Sequence, residues 1–137
     1  MSLVLDASVT IAWLYPAESV TDATTIWRSV AMEGAWVPGL WKLEVANVLQ
    51  LRRKRGQLKA EFVARSLADL ETLPIEIDRE TEARAWGETL ELAGRHGLTV
   101  YDAAYLEIAV RRGLPLATLD GELRRAAGVE GVPVLGN

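Results

Sequence analysis

A chain of 137 residues, half apolar and a quarter charged, has the size and balance of one globular domain, 1–137, and lacks the run of about eighteen apolar residues that a membrane span needs. It contains no cysteine, which excludes a disulfide framework and a thiolate metal site, so any metal must be held by oxygen or by the one histidine. The formal net charge of −4 argues against gripping nucleic acid through bulk positive potential, but four carboxylates gathered around divalent cations would leave the remainder neutral, so charge alone decides nothing about that partner.

Met1 leads directly into Ser2-Leu3-Val4-Leu5, without the charged and apolar regions of a signal peptide, so cytoplasmic residence is expected. From there short aliphatic runs alternate with longer segments of helical period, the pattern of βα units around a parallel sheet. Strands are expected at 2–5, 35–37, 74–77, 115–118 and 132–134. Helices are expected at 8–14, 19–32, 40–55, 59–71, 80–95, 101–111 and 121–127. Pro16, Gly34, Gly56 and Gly128 end helices, and Gly113-Leu114-Pro115 introduces the fourth strand.

The helix 40–55 carries Trp41, Val45, Val48 and Leu49 on one apolar face, and Glu44 and Asn47, three apart, share a neighbouring one. It closes on Arg52-Arg53-Lys54-Arg55, which complements a helix C-terminus and offers a phosphate-contacting rim as the alternative. Arg111-Arg112 and Arg124-Arg125 leave the same two readings open. In the helix 101–111, Ala104, Tyr105, Ile108 and Ala109 form the buried stripe, with Asp102 in the first turn. Trp27, Trp41 and Trp86 fit helix faces and read as core. Trp13-Leu14-Tyr15 cannot all face one side, which implies exposed apolar surface there. His96 falls at a helix end with no nearby nucleophile and is not expected to act as a base.

Ligands of a parallel sheet bind outside the carboxyl ends of the strands, so the acids that follow strands matter most. Asp6 ends the first strand, Asp120 follows the fourth, Asp102 opens the helix leading into the fourth, and Glu44 lies one turn into the helix after the second. Singly, each has a plain structural explanation. Asp6 and Asp120 sit where an N-cap is preferred, Asp102 completes a Thr99-Val-Tyr-Asp box, and Glu44 can simply be exposed. Asp78, which ends the third strand, shows how easily a cap alone generates the pattern. As a set they demand more, because caps do not require acids from four distant segments to converge. Hard divalent cations do require clustered oxygen ligands, and they relieve the repulsion such a cluster creates. Ser8 and Thr118 lie two residues from Asp6 and Asp120, placed either for local turns or for orienting a carboxylate.

These residues bring a family into view. "LVLDASV" with Asp6 and Ser8, "LWKLEVANVL" with Glu44 and Asn47, and "LTVYDAAYLEIAVRRGLPLATLD" with Asp102, Thr118 and Asp120 together resemble the PIN-domain ribonucleases, especially VapC-type toxins of toxin–antitoxin pairs. The resemblance spans nearly the whole chain and retains every acidic position. It implies a three-layer α/β/α sandwich with a mostly parallel five-stranded sheet. It also implies one or two Mg²⁺ or Mn²⁺ ions held by Asp6, Glu44, Asp102 and Asp120, a homodimer, and neutralisation by an antitoxin protein.

The resulting expectation is a Mg²⁺-dependent endoribonuclease, the toxin of a type II toxin–antitoxin system, with Ser8, Asn47 and Thr118 in support and Arg52, Arg53, Lys54 and Arg55 as candidate RNA contacts. Aspartyl-phosphate chemistry fits less well. Haloacid-dehalogenase phosphatases want an aspartate where Ser8 stands, and receiver domains want adjacent acids after the first strand. A PIN-like adaptor that binds RNA or protein without cleaving it is the non-enzymatic alternative.

Overall fold

A computed structural model describes residues 1–15 and 22–136. The helix stop expected at Pro16, and the start of the helix expected at 19, lie outside the described residues. In chain order the elements are β1 (Leu3–Leu5), α1 (Ala7–Leu14), α2 (Ala23–Glu33), β2 (Ala35–Val37), α3 (Leu40–Lys54), α4 (Ala60–Glu71), β3 (Ile75–Ile77), α5 (Thr81–Arg84), α6 (Glu88–His96), α7 (Val100–Arg112), β4 (Leu116–Ala117), α8 (Gly121–Val129) and β5 (Val134–Leu135). No helix among the described residues is long and apolar enough to cross a membrane.

The five strands form one sheet in the order β3-β2-β1-β4-β5. Every pairing in it is parallel, where the sequence led us to expect a mostly parallel sheet. The chain builds outward from β1 through β2 to β3, then crosses back to add β4 and β5 on the other side. Parallel crossovers are right-handed, so the helices of the two series cover opposite faces and give the α/β/α layering. The direction reverses between β1 and β4, which is where such sheets open a crevice.

Burial on both faces explains why the central strands are wholly apolar: Leu3, Val4, Leu5, Leu116 and Ala117 are all buried. Helix α7 lies across β1, β2 and β4, and Ala103 through Ala109 are buried without a break, including Glu107. Such a helix cannot show a one-sided stripe. Gly34 takes a positive φ of 84° between α2 and β2, and a Cβ there would stand 3.1 Å from the Pro74 carbonyl oxygen, so the close approach of the two segments needs glycine.

Three expectations about helices and aromatic residues are corrected. The single helix expected at 80–95 is two, α5 and α6, because Gly87 adopts φ −110° and ψ −104°, outside the helical region. Trp86 lies in the turn that results and is 94% exposed rather than core. Trp41 is buried as expected, and Trp27 packs against the core. The apolar surface expected at Trp13-Leu14-Tyr15 is largely closed within the chain. Leu14 is buried, and the Trp13 indole donates to the Ala23 carbonyl at 2.8 Å and meets Trp27 edge-on at 4.8 Å. Tyr15 lies beneath the Arg52 guanidinium, 3.7 Å from its ring centre.

Candidate active site

Asp6 is the residue at which β1 turns into α1. Its extended backbone (φ −74°, ψ 147°) donates an N–H to the Ala117 carbonyl of β4 at 3.0 Å, which pins it at the point where the sheet's direction reverses. The side chain does not cap α1. Instead Oδ2 accepts the Ser8 hydroxyl at 2.5 Å and the Thr118 hydroxyl at 2.8 Å. Each hydroxyl is itself oriented by a backbone donor, Leu119 N–H to Ser8 Oγ at 3.0 Å and Asp120 N–H to Thr118 Oγ1 at 3.1 Å. With its acceptor side occupied, each hydroxyl turns its proton toward the carboxylate. The strand-end sequence Thr118-Leu119-Asp120 is therefore stitched to Asp6-Ala7-Ser8 across the reversal point.

The other three acids reach the same place from different elements. Asp6, Glu44, Asp102 and Asp120 line one open cleft of about 560 Å³, together with Ser8, Asn47 and Arg52. Asp120 does act as a cap, accepting Leu123 N–H at 2.9 Å. Thr99 caps α7 by accepting Asp102 N–H at 3.1 Å, as the box-like spacing suggested. For Asp102 and Asp120 the cap geometry and a place in the cleft coexist; Asp6 has only the second.

The acids feel one another. Burial pushes the Asp6 carboxyl up, the Ser8 and Thr118 hydroxyls pull it back, and the Asp120 charge adds to the rise. Burial also raises Asp102, reinforced by the charges of Asp6 and Asp120. Glu44 is raised by burial and by Asp6 and Asp102, against the lowering effect of a hydrogen bond from Tyr105. The donors are all hard oxygens, the set that Mg²⁺ and Mn²⁺ take. Among the described residues, however, no three histidine or acidic side chains stand as a ready-made chelate. Mg²⁺ keeps several of its waters, so one or two direct carboxylates with the others reaching through water suffice, and the donor set fits on those terms.

Some expected residues stand elsewhere. Of the run Arg52–Arg55 only Arg52 lines the cleft, while Arg53 bonds to Gln50 and Lys54 and Arg55 are exposed. Arg111 and Arg112 clamp Asp78, each at 2.8 Å, and Asp78 also accepts Thr81 at 3.1 Å. Those partners outweigh burial and hold the Asp78 carboxyl far below its usual range. Asp78 is thus the hub of a structural ion network as well as a turn former. Arg124 bonds to the carbonyls of Thr118 and Gly136, and Arg125 to that of His96. His96 is buried against Glu130 at 2.7 Å, away from the cleft.

The site residue that sequence reasoning passed over as anything but core is Tyr105. Its hydroxyl donates to Glu44 Oε1 at 2.5 Å. The signal was present, since a tyrosine in an otherwise aliphatic buried stripe needs a partner for its O–H.

Residues 3–129 match the family described as PIN domain. Ribonuclease VapC3 of Pyrobaculum aerophilum is 36% identical over 123 residues, spanning 90% of this chain and 92% of that protein. Exonuclease VapC9 of the same organism is 28% identical over 116 residues, 79% of this chain and 84% of the other. Among solved structures, that of PAE2754 from P. aerophilum aligns with a TM-score of 0.71 at 24% identity, covering 98% of this chain and 83% of that one. The structure of FitAcB from Neisseria gonorrhoeae aligns with a TM-score of 0.60 at 20% identity, covering 98% and 96%. At those identities the structural likeness speaks for the fold.

Proposed function

Because this chain belongs to the PIN domain family, we propose that it is a divalent-metal-dependent endoribonuclease acting through Asp6, Glu44, Asp102 and Asp120, and the toxin of a type II toxin–antitoxin pair. The observation that carries this reading is the meeting of the four acids, from four separate segments, in one cleft at the sheet's reversal point. The name of its 36%-identical relative, a ribonuclease, supports RNA as the substrate.

In this reading the acids hold one or two Mg²⁺ or Mn²⁺ ions, directly or through water. When bound, such ions supply the positive charge that lowers the pKa of an attacking water and stabilises an anionic transition state. The chain's own part is to place that charge. Asp6, fixed by two oriented hydroxyls, would be the most rigid of the ligands, and Glu44, Asp102 and Asp120, which line the same cleft, would reach the ion directly or through water. Arg52 at the cleft wall offers a guanidinium to a neighbouring phosphate, and Asn47 an amide. In-line attack of water on phosphorus with departure of the 3′ oxygen leaves a 5′-phosphate and a 3′-hydroxyl. The same reading includes an antitoxin partner, a homodimer and cytoplasmic residence.

A circular single-stranded RNA tests the mode of cleavage, since it has no end for an exonuclease to enter. Linearisation in Mg²⁺, abolished by EDTA, is the expected result. Digestion of linear RNA with circles left intact would make the enzyme an exonuclease, and inertness toward both would favour a binding adaptor.

A further inference from the structure

Tyr105 is wholly buried on α7, one turn beyond Asp102, and its ring packs in the core. Phenylalanine would fill that position equally well, so packing does not account for the hydroxyl. The hydroxyl reaches instead to Glu44 Oε1 on α3, at 2.5 Å and across 61 positions of sequence. One buried side chain thus ties together two of the segments that carry the acids, α7 with Asp102 and α3 with Glu44.

That tie opposes a definite tendency. Glu44 is the longest of the four acids, with three rotatable bonds, and the charges of Asp6 and Asp102 act on it. Left alone, a half-buried glutamate beside like charges gains both entropy and solvation by swinging away from the cleft. A donor fixed on one carboxylate oxygen removes that freedom and still leaves lone pairs for a cation.

Resting on the nuclease reading above, we infer that Tyr105 is a positioning residue, whose hydroxyl holds the Glu44 carboxylate turned toward Asp6 and Asp102 so that the cleft binds a divalent cation tightly. It touches neither metal nor RNA and acts only through Glu44.

The test is a double-mutant cycle read by titration calorimetry with Mn²⁺ alone. Tyr105→Phe is expected to weaken binding roughly 10–100-fold, the usual effect of removing a partner that orients a metal ligand. In a Glu44→Gln background the same change should have little further effect. Should Tyr105→Phe fail to fold, 4-fluorophenylalanine at position 105 fills the hydroxyl's volume without donating, and the same loss is expected. Unchanged affinity in a folded variant overturns the inference and leaves the nuclease reading standing. Equal losses in the wild-type and Glu44→Gln backgrounds also overturn it, because the tyrosine would then act through general packing. Failure of the wild-type protein itself to bind Mn²⁺ overturns the metal-dependent reading and this inference with it.

Discussion

Thr118 and Asp6, 112 residues apart in sequence, are joined by a hydrogen bond of 2.8 Å in which the threonine hydroxyl donates to the carboxylate. Both side chains are buried, and Thr118 Oγ1 also receives the backbone N–H of Asp120. The β-hydroxyl therefore couples two acids of the cleft. Thr118→Val keeps the shape and removes the donor. It is expected to lower stability by about 1–3 kcal/mol at pH 7, the cost of stripping a buried charged group of a partner. Mn²⁺ affinity should fall roughly 10–100-fold. Urea unfolding and calorimetry on the one variant check both.

Neutralising a single acid should stabilise the protein in chelator and weaken its response to metal. Asp102 is raised by burial and by its acidic neighbours, so Asp102→Asn is expected to melt slightly higher than wild type in EDTA, by up to about 1 kcal/mol after allowance for solvent screening. Added Mg²⁺ should raise the wild-type melting temperature, by an amount equivalent to about 2.7 kcal/mol at a hundred times the dissociation constant, and raise that of the variant far less. Differential scanning calorimetry with and without Mg²⁺ reads out both effects. A variant less stable than wild type in EDTA would mean that Asp102 serves the fold rather than the cleft.

The pH dependence follows from two opposed sets of groups. Asp6, Glu44 and Asp102 have raised values when folded, so between the unfolded carboxyl value near ~4 and those raised values the folded chain holds extra protons. Their contribution is present at low pH and lost as pH rises through that window. Asp78 is depressed, so its contribution is full above ~4 and lost as pH falls toward its folded value. In EDTA, urea unfolding across pH 3–8 should show a maximum on the mildly acidic side of neutrality. Mn²⁺ affinity should climb over the window in which the cleft acids deprotonate, because protons and cations compete for the same oxygens.

The Asp78 network makes a separate prediction. Its carboxylate is buried and clamped by Arg111 and Arg112, and Arg112 also stacks over Trp36 at 3.5 Å. Asp78→Asn takes the printed carboxylate partner from Arg112 and leaves Arg111 to Glu80 and Glu107, and is expected to cost roughly 1–3 kcal/mol. The rate of RNA cleavage per folded molecule should not change, since the network stands apart from the cleft. Chemical denaturation and a cleavage assay corrected for the folded fraction separate the two.

Much of this arrangement is legible in the sequence. The short aliphatic runs, fully apolar because both sheet faces are covered, marked β1 and β4, and the acids directly after them marked the rim. Thr99 and Asp120 also read correctly as helix caps, whereas the cap expected of Asp6 does not form. What sequence could not supply was long-range pairing. Nothing local in the chain announces that the Tyr105 phenol finds Glu44, or that Asp78 would be claimed by two arginines 33 and 34 residues later. Trp86 misread for a different reason. Helical spacing ran through it, but Gly87 broke the backbone, and the tryptophan fell into the turn.

The proposed activity needs the four carboxylates to act together with a divalent ion on RNA. Its most direct test is cleavage of a pool of structured and single-stranded RNAs in Mg²⁺ by wild type and by Asp102→Asn, after circular dichroism shows both to be folded. Cleavage by the wild type, with 5′-phosphate and 3′-hydroxyl ends, and a loss of at least about a hundredfold in the variant are expected, the scale on which removing a key electrostatic group acts. Equal cleavage by the two proteins would contradict that requirement.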